Sequence, residues 1–438
     1  MSKISRRKFI ATAGATTAAT LFLHGCNSQS PSPQASPSTS ASPVGNLEKP
    51  EVTTAKLGFI ALTDSAPLII AKEKGIFEKY GMPDVEVTKQ ASWGATRDNL
   101  VLGSAGNGID GAHILTPMPY LITTGKVTNG KPIPMYILAR LNVNGQGIQV
   151  ANTYKDLKVG VDSDPLKDAF AKAKASGKEL KVAVTFPGGT HDLWMRYWLA
   201  ASGINPDTDV ATIVVPPPQM VANMKTGTME AFCVGEPWPL QTVNQKVGYQ
   251  ALTTGEIWKD HPEKSFAMRA DWVDKNPKAA KALLMAVLEA QQWCDKAENK
   301  DEMCEILSKR EWFKVPLEDI LDRSKGIYDY GDGKPQTKPD LVQKYWSDSA
   351  SYPYKSHDLW FLTEDIRWGY FAPDLDTKAL IDKVNREDLW KEAATALGLP
   401  ADQIPSSTSR GVETFFDGVK FDPQKPDEYL KALKIKKV

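Results

Sequence analysis

Gly108-Ile109-Asp110-Gly111-Ala112-His113-Ile114-Leu115-Thr116-Pro117 and Gly227-Thr228-Met229-Glu230-Ala231-Phe232-Cys233-Val234-Gly235-Glu236-Pro237 are two versions of one pattern. In each, a helical segment ends at a glycine, an acid follows, a short apolar run reads as a buried strand, and a proline turns the chain away. The acid and the proline are seven residues apart in both. Around each copy, short apolar runs alternate with helical patterns, as in α/β proteins. Lys56 to Leu62, Val85 to Thr88, Ile133 to Ala139, Val182 to Phe186 and Ala211 to Val215 read as strands. Ala66 to Tyr80 reads as one helix closed by Gly81 and Pro83, and helices after Ser92 and Thr190 begin at capping residues. Two similar βα halves, each opening a loop at a strand's carboxyl end, predict a two-lobed α/β fold with a ligand cleft between the lobes.

The amino-terminal end carries an address. Ser5-Arg6-Arg7-Lys8-Phe9-Ile10 is a twin-arginine pattern, and a modest apolar run to Leu23 is too short to span a bilayer. Leu23-His24-Gly25-Cys26 has the form of a bacterial lipobox, in which cleavage precedes Cys26 and the thiol is lipidated. An ordinary export signal with a chance cysteine is the plain alternative. Beyond it lies a stretch of Ser, Pro, Ala and Gln with little to bury, the composition of a spacer. The segments expected are a signal over 1–25, an anchor and tether over 26–53, a first lobe from 54–147 with 268–438, and a second lobe over 148–267. The hinge then falls near Gly147 and Ala267.

The chain has 53 basic and 53 acidic residues. Loss of Lys3, Arg6, Arg7 and Lys8 with the signal leaves 49 against 53, a net charge of −4. No basic block points to nucleic acid, so an anionic ligand would have to be caught by local charge. Besides Cys26 there are Cys233, which reads as a buried strand residue, and Cys294 and Cys304, which flank a polar break and could pair in an oxidising compartment. There is no CxxC and no His-rich spacing, so neither a metal nor a cofactor is expected.

Trp93-Gly-Ala-Thr-Arg-Asp-Asn, Leu141-Asn-Val-Asn-Gly-Gln-Gly-Ile, Phe186-Pro-Gly-Gly-Thr-His-Asp, Phe232-Cys-Val-Gly-Glu-Pro-Trp and His261-Pro-Glu-Lys-Ser together carry a resemblance. The chain resembles the cyanobacterial nitrate-binding lipoproteins of nitrate/nitrite ABC importers, in the nitrate/bicarbonate branch of type II periplasmic binding proteins. The resemblance implies a two-lobed type II periplasmic-binding-protein fold and no enzymatic activity. It implies a monomer anchored to the periplasmic face of the inner membrane, with an ABC permease and its ATPase subunits as partners. It also implies Trp93, Gln146, His191, Gly235 and Lys264 as the ligand contacts.

Chemistry supports each residue. Nitrate is a planar monoanion with acceptor oxygens only, so its site must offer donors and positive charge. Trp93 has an indole N–H that only donates, at a helix start where anions are favoured; alone it would pass for a core indole. Gln146, between Gly145 and Gly147, has an amide donor where the backbone can come close; alone it would pass for a surface turn. His191 follows Pro187-Gly-Gly-Thr190 and reads as the first residue of a helix, beside free N–H groups. Asp192 beside it suits the helix dipole. Gly235 can expose its N–H at a strand end, with Glu236 expected to turn aside or pair with a base. Lys264 supplies full charge. In the bicarbonate-binding relatives, an acid near that position and a bound calcium ion complete the site, so a cleft faced by Glu263 in place of Lys264 would favour bicarbonate. An exported hydrolase lacks support, since there is no GxSxG or HExxH. A sensing domain fused to a transporter ATPase fits poorly with an export signal and no GxxxxGK[ST].

Overall fold

The two copies of the quoted pattern occupy equivalent places in two five-stranded sheets. The computed structural model describes residues 48–437; the export signal, Cys26 and the spacer through residue 47 lie outside them. Ten strands build the sheets: β1 (Thr54–Phe59), β2 (Asp84–Lys89), β3 (Gly111–Leu115), β4 (Met135–Val143), β5 (Gln146–Ala151), β6 (Lys181–Val184), β7 (Ala211–Val214), β8 (Ala231–Gly235), β9 (Gly248–Thr253) and β10 (Pro262–Arg269). The first sheet runs β2-β1-β3-β10-β4 and the second β7-β6-β8-β5-β9. In each, the first three strands are parallel and the fourth is antiparallel to both of its neighbours. β3 and β8 are the repeated pattern, and each leads through its proline turn into a short helix, Met118–Thr123 or Trp238–Asn244.

The acid of the pattern does the same work twice. Asp110 accepts from the backbone N–H of Lys56 at 2.9 Å, and Glu230 from that of Lys181 at 2.6 Å. Each carboxylate thereby satisfies a donor near the start of the neighbouring parallel strand. The pattern is thus a strand-docking device whose outlet, at the far end of the strand, is the cleft.

The chain changes sheet twice. It leaves the first sheet at Asn144-Gly145 and returns between Thr253 and Pro262. The expected return at Ala267 falls inside β10, which already belongs to the first sheet, so the residues from Pro262 on are misplaced in the expected second lobe. Gly145 has φ +88°, and a Cβ there would lie 2.6 Å from Gln343 Oε1, so the crossover needs glycine.

A second correction concerns the carboxyl-terminal part, which does not belong to the first lobe alone. Trp360, Phe361, Trp368, Phe415, Phe421, Tyr429 and Leu433 join Ile148, Val184, Trp194 and Trp198 in one apolar core against the second sheet. Trp194 stacks on Trp360 at 5.0 Å. The aromatic run near residue 360 is therefore core, and the tail is held in place by the buried Tyr429.

Local expectations were also adjusted by backbone geometry. The helix expected over Ala66 to Tyr80 splits into Ala66–Glu73 and Ile76–Lys79, because Gly75 adopts φ +67°. Cys233, Cys294 and Cys304 are all free and buried, and Cys304 donates to Ser324 Oγ at 3.2 Å. Among the described residues no helix is long and apolar enough to cross a membrane.

Candidate functional site

Five segments end at one buried cluster between the sheets. Ser92 caps the helix Trp93–Leu102, its hydroxyl accepting from Ala95 N at 3.1 Å, and this fixes Trp93 as the first helical residue. Gln146 opens β5 directly after the crossover and lies opposite Gly235, the last residue of β8. His191 is the second residue of the helix Thr190–Ala201, whose cap is Gly189. Thr190 was expected to cap that helix, but its hydroxyl donates instead to Glu263. Lys264 lies in β10 opposite Leu115 of β3, and on the other side the register against β4 slips both before and after it. Such irregularities re-aim a side chain.

The side chains of Trp93, Gln146, His191 and Lys264 are fully buried. Lys264 Nζ is 2.9 Å from Asp64 Oδ2 and 2.9 Å from Glu263 Oε1. It is 3.5 Å from Gln146 Oε1 and from His191 Nε2, and 5.9 Å from the centre of the Trp93 ring. Gln146 Oε1 lies 2.7 Å from His191 Nε2, and its Nε2 donates to Asp64 Oδ2 at 3.1 Å. A Cβ at Gly235 would sit 2.5 Å from Gln146 Oε1 and 3.3 Å from Asp64 Oδ2. Glycine is needed there because the cluster comes up against the backbone. The five expected residues therefore meet, with Gln146, His191 and Lys264 in direct contact and Trp93 facing Lys264.

Two further members, Asp64 and His113, were not singled out from the sequence. Asp64 follows β1, at the kind of strand end where ligands gather. His113 interrupts the apolar run of β3, and a polar residue inside such a run is the signal that was available. His113 Nε2 approaches Asp64 Oδ1 at 2.5 Å, while its Nδ1 faces the Ile60 N–H at 3.4 Å. Glu263 does face the cluster, alongside Lys264. Its oxygens are taken by Thr190, by Lys264 and by the Trp194 indole at 2.7 Å. Glu236 turns aside and pairs with Arg323 at 3.2 Å. Asp192 accepts from Gly188 N at 2.9 Å and Arg196 Nε at 2.8 Å.

Electrostatics follow from burial and contact. Burial opposes ionisation of Asp64, but Lys264 and the His113 ring beside it hold the carboxyl well below its usual range. Burial pushes Glu263 up, against Lys264, Thr190 and Trp194. Lys264 is raised, because the two carboxylates outweigh its own burial. His191 is driven well below its usual value by burial and then by Lys264.

One donor in this cluster has no partner: Trp93 Nε1 is fully buried and makes no hydrogen bond. An unmet indole N–H in such a place costs about 1–3 kcal/mol, and it points to an acceptor that the protein itself does not supply.

The description of the NMT1-like family matches residues 48–308. The chain belongs to the NMT1-like family. It is 70% identical to the nitrate/nitrite binding protein NrtA of Synechocystis, over 100% of this chain and 99% of that one. It is 47% identical to the bicarbonate-binding protein CmpA of Synechococcus elongatus, over 99% and 98%. The crystal structure of the periplasmic nitrate-binding protein NrtA from Synechocystis PCC 6803 superimposes with a TM-score of 0.87. The two are 76% identical, and the match covers 89% of this chain and all of that one. The expected two-lobed binding-protein fold and the place in the nitrate/bicarbonate branch both stand.

Proposed function

We propose that this chain is the solute-binding subunit of an ABC importer and that it captures nitrate, and nitrite with it, in the periplasm. It is a binding protein and not an enzyme. The ion is held by Trp93, Gln146, His191, Gly235 and Lys264 and is delivered to the membrane permease and its ATPase subunits by closure of the two lobes. Cys26 carries the lipid that keeps the monomer at the inner membrane. The observation that supports this reading is the orphaned, buried Trp93 N–H on a ring whose face lies 5.9 Å from the buried Lys264 ammonium.

Lys264 also bears on the choice of ion. Its ammonium lies between Asp64 and Glu263, so the cation at this spot is built into the chain. Bicarbonate would present an O–H that Lys264 and Trp93 cannot accept. Size sets the demand on such a site. Four heavy atoms can yield roughly −6 kcal/mol at about −1.5 each, whereas micromolar binding needs about −8. Charge-assisted bonds in a preorganised pocket make up the difference.

Calorimetric titration of the purified protein with nitrate, nitrite and bicarbonate, the last with and without calcium, tests the proposal. Saturable nitrate heat without metal is expected. Silent nitrate with calcium-dependent bicarbonate heat would overturn the ligand and leave the transport role.

A further inference from the structure

An anion entering this cluster meets an unfavourable charge count. Asp64 and Glu263 oppose a single ammonium, that of Lys264. His113, His191 and His261 are buried beside them, and burial holds each below its usual value. A monoanion added to two carboxylates and one ammonium leaves two uncompensated negative charges out of reach of water, which is costly. A proton arriving with the anion removes one of them.

Hydrogen-bond partners decide where that proton can go. His113 Nδ1 faces the Ile60 N–H, a group that only donates, so a second N–H there would meet it head-on. The His261 ring is committed to the Pro262 carbonyl at 3.1 Å and the Thr254 hydroxyl at 2.7 Å, away from the anion donors. Glu263 already accepts on both oxygens. His191 differs from His113 and Glu263 in having two partners that can both accept, and from His261, whose partners can also accept, in facing Gln146 and Lys264. The His191 Nε2 points at Gln146 Oε1 at 2.7 Å and its Nδ1 at Thr185 Oγ at 2.6 Å, and both of those partners can accept. Neutral His191 accepts a hydrogen bond from the Thr185 hydroxyl at Nδ1, and the imidazolium requires only that this hydroxyl rotate.

Burial and then the ammonium of Lys264, 3.5 Å from Nε2, keep His191 neutral. The other titratable groups facing it are Glu263 at 3.6 Å, Asp64, His113 and His261. An anion oxygen accepting from both Nε2 and Nζ would offset that repulsion.

Resting on the nitrate reading above, we propose that the site binds its anion together with one proton, lodged on His191. The proton comes from a buffer acid or hydronium in solvent, whose bond to it breaks as the new N–H bond forms at Nδ1; no bond within the protein breaks. The captured pair is then electrically neutral.

The test is titration calorimetry of the purified protein with sodium nitrate at about pH 7 in phosphate and in Tris, buffers whose heats of ionisation differ widely. The expected result is a buffer-dependent enthalpy equivalent to about one proton taken up per nitrate, with Kd rising about tenfold per pH unit wherever that uptake is seen. His191→Gln keeps a donor amide but cannot be protonated, so its nitrate enthalpy should not depend on buffer. Nitrate binding to the unaltered protein with the same heat in both buffers overturns the inference and leaves the nitrate reading standing. Uptake that survives in His191→Gln overturns the assignment to His191. No nitrate heat in either buffer overturns the nitrate reading and this inference with it.

Discussion

Replacing Trp93 with Phe removes one N–H while keeping an aromatic ring beside Lys264, and the structure predicts little consequence for folding and a large one for binding. In the absence of ligand the indole N–H is buried without an acceptor, a defect of about 1–3 kcal/mol. Its removal offsets much of the packing lost with the smaller ring. The ligand-free melting temperature should therefore change little. Binding should suffer, because a hydrogen bond to a charged acceptor contributes about 1.5–3 kcal/mol. At about 1.4 kcal/mol per decade, Kd for nitrate should rise roughly 10- to 150-fold. Calorimetry of both proteins, with melting curves in the presence and absence of nitrate, separates the two effects. A variant that melts normally and binds nitrate within about twofold of the unaltered protein would refute the argument that the orphaned donor is reserved for the anion.

Three further outcomes are expected. Gly235→Ala places a methyl 2.5 Å from Gln146 Oε1 without backbone strain. Gln146 must move, and nitrate affinity measured by calorimetry should fall by at least about tenfold for a destabilisation of about 1–3 kcal/mol in denaturant titration. Lys264→Ala leaves Asp64 and Glu263 buried without their cation. It should lose nitrate binding and about 3–5 kcal/mol of stability, read from the same titration. His357 lies outside the site, and burial together with Arg410 lowers its pKa to about 3. The unfolded chain therefore binds the extra proton between about pH 6.5 and 3, and the stability due to neutral His357 is lost as pH falls through that window. His357→Phe should gain on the unaltered protein by up to about 1.4 kcal/mol per pH unit on acidification below about 6.5, measured by urea midpoints. A stability difference that does not change with pH would count against a neutral His357.

The sequence carried the architecture because its repeated pattern is physical at every position. The acid docks a neighbouring strand, the apolar run is the strand, and the proline ends it. That Trp93, Gln146, His191, Gly235 and Lys264 come together was legible through family motifs and local chemistry combined. Asp64 went unmarked and Glu263 was weighed only as a rival to Lys264, since acids are unexpected in an anion site until Lys264 is found between them. That arrangement depends on the slipped register of β10, which no local pattern encodes. The sheet return was misplaced for a related reason. Pro262–Arg269 is apolar enough to suit either lobe, and only pairing with β3 and β4 assigns it to the first. Trp360 and Trp368 are buried against the second sheet, a long-range packing choice invisible to periodicity.

The matching of the two halves explains how one small ion could govern the relation between two lobes. In each sheet the fourth strand is the one that arrives from the other lobe: β5 in the second sheet and β10 in the first. Each lies antiparallel to a copy of the repeated pattern. Gln146 on β5 stands opposite Gly235, the last residue of β8, and Lys264 on β10 stands opposite Leu115, the last residue of β3. The two principal polar groups thus occupy equivalent corners, both on strands continuous with the crossovers. A displacement of one lobe against the other must move Gln146 relative to Lys264 or bend the strands that carry them. An anion bridging the two is bound well in only one relative position of the sheets. Its binding energy therefore biases closure directly, without any relay through the cores.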